Sequence, residues 1–380
     1  MPVRATKRGA ERTPLSGDFD VVVCGASFAG LTVARELRGT GARVLVLDRY
    51  EIGERQTSAC AAPTEWLINL GLEDAVLQTF DTLLLHTPGT TARWPIGWTF
   101  STFDYRRLCE LLWEQRGAGT EFETAKVDGR TGTTVHTDRG DVRAPLLVDA
   151  LGWRRVLGAE DNFQPPEALL SRGLEVHPGG RAEELEVWVH KGYVRAGYGW
   201  SFPAGDEVRI GVGSFDPRDH VKEPTVRLTA DLGAEPLGYQ GNWIPHALRP
   251  AVEDGVFFVG DSAGHCLPLS AEGIRTALYF AIAAGREIAA VLEGGRTHDE
   301  ALANYGAFSA QHGWKFAWLK RWQDSVWRLR PRPRDALVHS LRSRRLSEWA
   351  FGHYRRIAPP EFALPAPPLA VAPAPARYAA

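Results

Sequence analysis

The chain has 380 residues, 44% of them apolar and 24% charged, an ordinary globular composition with room for two lobes. A net charge of −2 excludes nucleic-acid binding driven by the charge of the whole molecule, and four scattered cysteines without a CxxC pair argue against both a zinc site and a disulfide framework. Met1–Gly17 is basic and polar without an apolar core, so it reads as a disordered arm and not as a signal peptide. No apolar run is long enough to span a membrane, and a cytoplasmic location is the default expectation.

Phe19–Tyr50 reads as strand, glycine turn, helix, strand. Val21–Cys24 is an apolar, β-branched run, and Gly25-Ala26-Ser27-Phe28-Ala29-Gly30 is the turn. Leu31–Arg38 repeats apolar residues at helical spacing, and Val44–Leu47 is a second apolar strand ending at Asp48. Gly25 permits the tight turn and Gly30 the close packing of helix on strand. The helix N-terminus then offers free N–H groups to a pyrophosphate. Asp48 lies 23 residues after Gly25, where an acid accepts hydrogen bonds from a ribose. Ser27 replaces the usual middle glycine, so either the backbone approaches the phosphate less closely or the hydroxyl bonds it. The pattern predicts a dinucleotide site.

Glu51–Pro63 is a loop of small residues of the kind that passes over a cofactor; Cys60 within it is either near a reacting centre or a buried filler. Thr64–Leu70 predicts a short helix ended by Gly71. Thr82–Phe100 has strand character, with Trp94 and Trp98 flanking Pro95 and Gly97. Asp104–Gln115 predicts a helix, and Thr120–Val148 short strands joined by turns. From Leu174 to Phe215 the pattern alternates, which predicts an antiparallel sheet. Val256–Val259 is a buried strand running into Gly260-Asp261, and Glu272–Leu292 a long helix. Trp314–Arg330 places Trp314, Trp318, Trp322, Val326 and Leu329 on one helical face, and Trp314–Arg356 holds 12 Arg/Lys against three Asp/Glu. Pro359–Ala380 is Pro/Ala-rich and reads as disordered or as a strap.

Three stretches together resemble the FAD-dependent flavoproteins of glutathione-reductase type, in the group of aromatic hydroxylases, flavin halogenases and geranylgeranyl reductases. They are the turn Gly25–Gly30, the run Val259–Ile274 (VGDSAGHCLPLSAEGI), and Tyr198-Gly199-Trp200-Ser201-Phe202-Pro203 followed by Gly211-Val212-Gly213. The likeness covers roughly residues 18–300. It implies an α/β fold. A Rossmann-like FAD-binding lobe takes residues 18–165 and 250–300, including substrate-side segments near 60–100. An inserted antiparallel β-sheet substrate lobe takes 166–249, C-terminal helices 301–358, and the tail 359–380.

For FAD the resemblance implies Gly25, Ser27, Phe28, Ala29, Gly30, Asp48 and Arg49 from the first motif. It adds Arg107 from the helix after Asp104, and Asp149 and Gly152 from Val148–Gly152, where Leu151 replaces an acid. From the second motif it implies Gly260, Asp261, Pro268, Glu272, Gly273 and Ile274, the helix start favouring an anion at the flavin N1/O2 edge. The expected activity is reduction of C=C bonds of an isoprenoid or other apolar substrate by hydride from flavin N5. Trp94, Trp98, Tyr198, Trp200 and Phe202 would line the substrate site; Cys60, Tyr198, His265 or Cys266 would supply a proton or touch the substrate, with capping a helix or bonding a flavin phosphate the equal alternative for His265.

The alternative is a monooxygenase acting through a flavin C4a-(hydro)peroxide. A halogenase is disfavoured, since no lysine lies between Lys7 and Lys126 and Phe202 stands where that class has Ile. No second glycine-rich motif appears, so NAD(P)H or another reductant stays open, and no metal or nucleic acid is expected. The basic, Trp-rich helices either dock on an anionic membrane or pack their tryptophans onto the FAD lobe.

Overall fold

The computed structural model describes residues 13–56, 58–158 and 170–364. The part of the expected N-terminal arm before residue 13 and the part of the Pro/Ala-rich tail beyond residue 364 lie outside the described residues.

Three apolar runs with no polar alternation, Val21–Cys24, Val44–Asp48 and Leu146–Asp149, are buried on both faces, which is the signature of parallel strands covered on each side. They form the centre of a six-stranded sheet in the order Val252–Glu253, Val256–Phe258, Leu146–Asp149, Val21–Cys24, Val44–Asp48, Thr120–Thr124. All neighbours pair parallel except the edge strand Val252–Glu253. Helix Phe28–Glu36 packs on this sheet and against the long helix Ile274–Leu292.

The alternating segments build an eight-stranded sheet. Its order is Gln240–Pro245, Leu170–Val176, Glu207–Ser214, Gly197–Ala204, Leu185–Trp188, Val76–His86, Thr91–Phe103, Ala61–Pro63. It is antiparallel but for one junction, where Leu185–Trp188 runs parallel to Val76–His86 with Leu185 opposite Leu83. That junction merges two stretches of chain about a hundred residues apart into one surface.

A four-stranded sheet holds Gly17–Asp18 beside Gly140–Arg143. Leu15 N donates to Arg139 O at 2.8 Å, and the Arg139 guanidinium donates to Thr13 O. Residues 13–17 are therefore tied to the body and are not part of a free arm. At the other terminus, Trp66 Nε1 donates to Ala358 O at 3.1 Å, and Phe362 stacks on Phe308. Pro359–Leu364 acts as a strap.

Among the described residues four α-helices follow the long one: His298–Ala310, Gly313–Val326, Pro331–Ser340 and Arg344–Arg355. The helix Gly313–Val326 buries Phe316, Leu319 and Gln323. Its tryptophans are on the other side, with Trp314 69%, Trp318 53% and Trp322 40% exposed. The expectation that these indoles pack onto the nucleotide-binding lobe is corrected. The inward positions are taken by Phe316 and Leu319, which leaves the tryptophan stripe to solvent and to the rim of a cavity. No described helix is long and apolar enough to cross a membrane.

Candidate active site

A cavity of about 830 Å³ lies between the two large sheets and the C-terminal helices. The carboxyl ends of four parallel strands open into it: Ala26–Ala29 after Val21–Cys24, Asp48 and Arg49 at the end of Val44–Asp48, Ala150–Gly152 after Leu146–Asp149, and Val259–Asp261 after Val256–Phe258. In open parallel sheets this is where ligands bind.

Gly25 and Gly30 do not line the cavity; they shape the turn that does. Gly25 sits at φ +116°, and a Cβ there would lie 2.3 Å from Ala150 O; one on Gly30 would lie 1.8 Å from Gly25 O. Without side chains the turn passes flush against its neighbours and presents Ser27, Phe28 and Ala29 to the cavity. Ser27 is the N-cap of the helix but makes no side-chain cap, and its Oγ accepts instead from Tyr105 Oη at 3.2 Å. Asp48 clamps the turn, accepting from Ala26 N at 2.9 Å and Tyr50 N at 3.0 Å. On the facing wall, Gly273 starts the helix Ile274–Leu292, again without a side-chain cap, and Glu272, Gly273 and Ile274 line the cavity. Two uncapped helix N-termini thus aim partial positive charge at one space. Asp261 lies beside them. Among the described residues no donor bonds its carboxylate, and burial pushes its pKa up to about 6 against the charge of Arg249.

This donor and acceptor set fits a dinucleotide: N–H groups for phosphate oxygens, and carboxylates walled into the cavity for hydroxyls.

Several sequence-predicted residues lie elsewhere. Asp149 is fully buried under the cavity floor, accepting from Leu151 N at 2.9 Å, Leu157 N at 2.7 Å and Ser262 Oγ at 2.7 Å. It ties two strand ends together, while Gly152 lines the cavity and Pro268 does not. Arg107 points outward to Glu114 at 2.9 Å. The cap at Asp104 sets the helical register, so that Tyr105 faces the cavity in its place. His265 is corrected as a proton donor. It is fully buried, bonds Ser309 Oγ through Nε2 at 3.0 Å, and stacks on Phe280 with centroids 3.7 Å apart. Burial, with the charges of His312 and Arg155, holds its pKa well below the usual histidine range.

Trp94, Trp98, Tyr198, Trp200 and Phe202 line the apolar end of the cavity. The paired glycines of Gly211-Val212-Gly213 have a physical reason: a Cβ on Gly211 would lie 2.2 Å from the Trp200 ring, so the indole lies flat across the neighbouring strand. Tyr198 Oη donates to Ser270 O, which joins the sheet to the loop before the long helix. Cys60, at φ +53°, and Cys266 also line the cavity, and burial pushes both thiols well up, so each holds its proton at neutral pH.

The structure adds residues that the sequence reading missed. Glu175 lines the cavity and accepts from Trp200 Nε1 at 3.3 Å. It pairs with His177 at 3.0 Å, which reaches Glu207 at 3.5 Å, which pairs with Arg209 at 2.8 Å. Glu175 lies near the end of the strand Leu170–Val176 and His177 just past it, and their Glu-x-His spacing was visible in the sequence. Arg334, Phe351 and Tyr354 of the C-terminal helices line the cavity too, and no local pattern marks them.

For His177, burial disfavours the charged ring, but the two carboxylates outweigh it and raise its pKa to about 9; Glu207, opposed by burial and drawn down by His177 and Arg209, falls to about 2. A raised histidine stabilises the fold fully below its ordinary value near 6.5 and loses that contribution as pH climbs through about 9. The melting temperature is expected to fall between pH 6.5 and 10, and His177→Gln to flatten that fall; an equal fall in the variant would remove His177 from the account.

No family model matches the chain. Over 339 residues it is 27% identical to geranylgeranyl diphosphate reductase of Rhodobacter capsulatus, covering 81% of this chain and 84% of that one. Over 331 residues it is 23% identical to digeranylgeranylglycerophospholipid reductase 2 of Methanosphaera stadtmanae, covering 78% and 84%. Its fold matches the crystal structure of a geranylgeranyl bacteriochlorophyll reductase-like protein from Thermoplasma acidophilum with a TM-score of 0.78 at 16% identity, over 92% of this chain and 98% of that one. The resemblance to geranylgeranyl reductase-like flavoproteins expected from the motifs is borne out, and the structural likeness extends past residue 300 into the C-terminal helices.

Proposed function

We propose that this chain, a relative of the geranylgeranyl reductase-like flavoproteins, is an FAD-dependent oxidoreductase that reduces C=C bonds of an isoprenoid or similarly apolar substrate. The observation that carries the reading is one continuous cavity with two uncapped helix N-termini at one end and a tryptophan-lined chamber at the other. On this reading the parallel sheet with residues 250–300 is the Rossmann-like FAD lobe. The eight-stranded sheet, drawn from residues 170–245 and 61–103, is the substrate lobe.

Ser27, Phe28, Ala29, Asp48 and Arg49 would hold the adenosine diphosphate half of FAD. Gly152, Gly260 and Asp261 would hold its centre, and Glu272, Gly273 and Ile274 the flavin edge. Gly25, Gly30 and Asp149 serve by position only. When bound, FAD supplies hydride from N5. The chain's own residues supply the rest. The indoles and Phe202 exclude water from the alkene. Cys60 Sγ, Cys266 Sγ and Tyr198 Oη border the cavity and hold protons at neutral pH, raised by burial. Glu175 and His177 link this wall by ion pairs to the half-buried Glu207.

Asp261→Ala is expected to weaken FAD binding tenfold or more, about the worth of a charge-assisted hydrogen bond; full flavin occupancy by absorption spectrum would sink the cofactor assignment. With the flavin reduced anaerobically, a prenyl alkene is expected to reoxidise it and to leave as the saturated product. Reoxidation by oxygen alone, with oxygenated product, would overturn the reductase reading in favour of a monooxygenase.

The same cavity supports peripheral membrane contact. Trp318 and Trp322 belong both to its lining and to the exposed stripe that continues through Trp314, within the segment 314–356 that carries 12 Arg/Lys against three Asp/Glu. An apolar patch in a basic surround suits an anionic bilayer, and it opens straight into the substrate chamber. Co-sedimentation with anionic liposomes is expected at low salt, with loss in the Trp314→Ala/Trp318→Ala double variant; no sedimentation of the wild type at low salt would refute this contact.

A further inference from the structure

The loop before the long helix is bent in a way its residues resist. Among the described residues five other than glycine have a left-handed backbone: Cys60, Arg155, Asp254, Leu269 and Ala271. Asp254 begins the Asp-Gly turn between the paired strands Val252–Glu253 and Val256–Phe258, where that conformation is usual. Leu269 at φ +71° and Ala271 at φ +52° have no such local reason. They flank Ser270, both line the cavity, and neither has a side chain that can bond its own backbone as Asn or Asp does. Crowding of Cβ against the following carbonyl disfavours each of them. Two so close together persist only where neighbouring groups impose the conformation.

The loop's own backbone bonds close its ends: Leu267 N donates to Glu272 O at 3.0 Å and Ser270 N to Pro268 O at 2.9 Å. Its middle is held from outside, by three elements. Gln323 of the helix Gly313–Val326, 1% exposed, accepts from Leu269 N through Oε1 at 2.8 Å. Tyr198 of the strand Gly197–Ala204 donates to Ser270 O. Tyr354 of the helix Arg344–Arg355 donates to Glu272 Oε2, and with its one proton so used it accepts from Ser270 Oγ at 2.7 Å. The fully buried Arg275 also donates to Glu272 Oε2, at 2.7 Å, and to Arg355 O at 3.0 Å. The end of one roof helix and the start of the long helix therefore share a single set of bonds. The loop leads into Gly273, where the uncapped N-terminus of Ile274–Leu292 faces the cavity. A helix N-terminus favours an anion only within its first turn, so the path of Leu269–Ala271 decides what that charge reaches.

We infer that Gln323, Tyr354 and Tyr198 are positioning residues for the flavin: by holding Leu269–Ala271 in its left-handed path they fix the N-terminus of Ile274–Leu292 against the ring edge that becomes negative on reduction. The inference rests on the proposed function for the place of the flavin. The clamp itself acts through the backbone, and no member of it has to touch the ring. The oxidised ring carries no charge at that edge and the reduced ring does. Loosening the clamp therefore destabilises the reduced form more than the oxidised one and makes the reduction potential more negative. Two of the three clamping side chains come from the C-terminal helices, so the roof that encloses the chamber also sets the electrostatics at the flavin end.

The two-electron potential of the FAD-loaded full chain, read by anaerobic reduction against a dye of known potential, compares wild type with Tyr354→Phe and Gln323→Leu. Each variant is expected to shift the equilibrium threefold to tenfold towards oxidised flavin, which is about 15–30 mV more negative. Ala271→Gly added to Tyr354→Phe is expected to recover part of that shift, because glycine takes a left-handed backbone freely. Thermal melting separates positioning from plain packing. Variants that melt lower but keep the wild-type potential would overturn the clamp, and so would a shift that Ala271→Gly leaves wholly in place. The two readings fail separately. A wild type that binds no flavin sinks the proposed function and the clamp with it, whereas wild-type potentials in both variants of a flavin-bearing reductase sink the clamp alone.

Discussion

The close approach of the Gly25–Gly30 turn to the strand end at Ala150 is the constraint on which the site depends. Side chains at Gly25 or Gly30 would overlap backbone oxygens, so either substitution pushes helix Phe28–Glu36 off the sheet. That helix carries the uncapped N–H groups and packs on the long helix that carries the second set. Asp48 and Asp149 reinforce the arrangement from below. Each is held by backbone N–H groups that fix where a strand stops and a turn starts.

The cavity divides by polarity. At the strand ends, helix N-termini and walled-in carboxylates sit where hydroxyls and phosphate oxygens would meet them. Over the eight-stranded sheet the walls are indoles, a phenol and aliphatic side chains, and burial keeps the thiols protonated. Burial acts in one direction on both kinds of group: it raises the pKa of Asp261 to about 6 and keeps protons on sulfur and oxygen at the apolar end. The ion-pair chain Glu175–His177–Glu207–Arg209 is the exception within the sheet, and it connects this dry wall with the surface.

The C-terminal helices turn a concave sheet into an enclosed chamber. Trp94 Nε1 bonded to Val338 O and Ser347 Oγ bonded to Pro95 O pin the helices Pro331–Ser340 and Arg344–Arg355 along the strand Thr91–Phe103. The roof brings a feature that a bare sheet lacks, an exposed tryptophan rim.

Local patterns in the sequence determined the strand–turn–helix–strand unit, the alternating strands and the long helix after Gly273, while the site positions of Asp261, Trp94, Trp98 and Trp200 were what the family resemblance implied. Hydrophobic period and glycine placement are short-range signals, and these elements follow from them. The same signals could not say which side of an element faces the cavity. His265 lies next to Cys266, yet it turns into the core against Phe280 and Ser309 while Cys266 turns to the cavity. Arg107 follows Tyr105 by two positions and so points the other way on a helix. The tryptophan stripe at Trp314–Trp322 was legible as a stripe, but whether it faced core or solvent depended on Phe316 and Leu319 finding partners. Only the tertiary structure decided that the sheet joins residues 61–103 to residues 170–245, and that a helix some 240 residues after Trp94 roofs it. Contacts at that range leave no period in the sequence, because they arise from how separately formed surfaces bury one another.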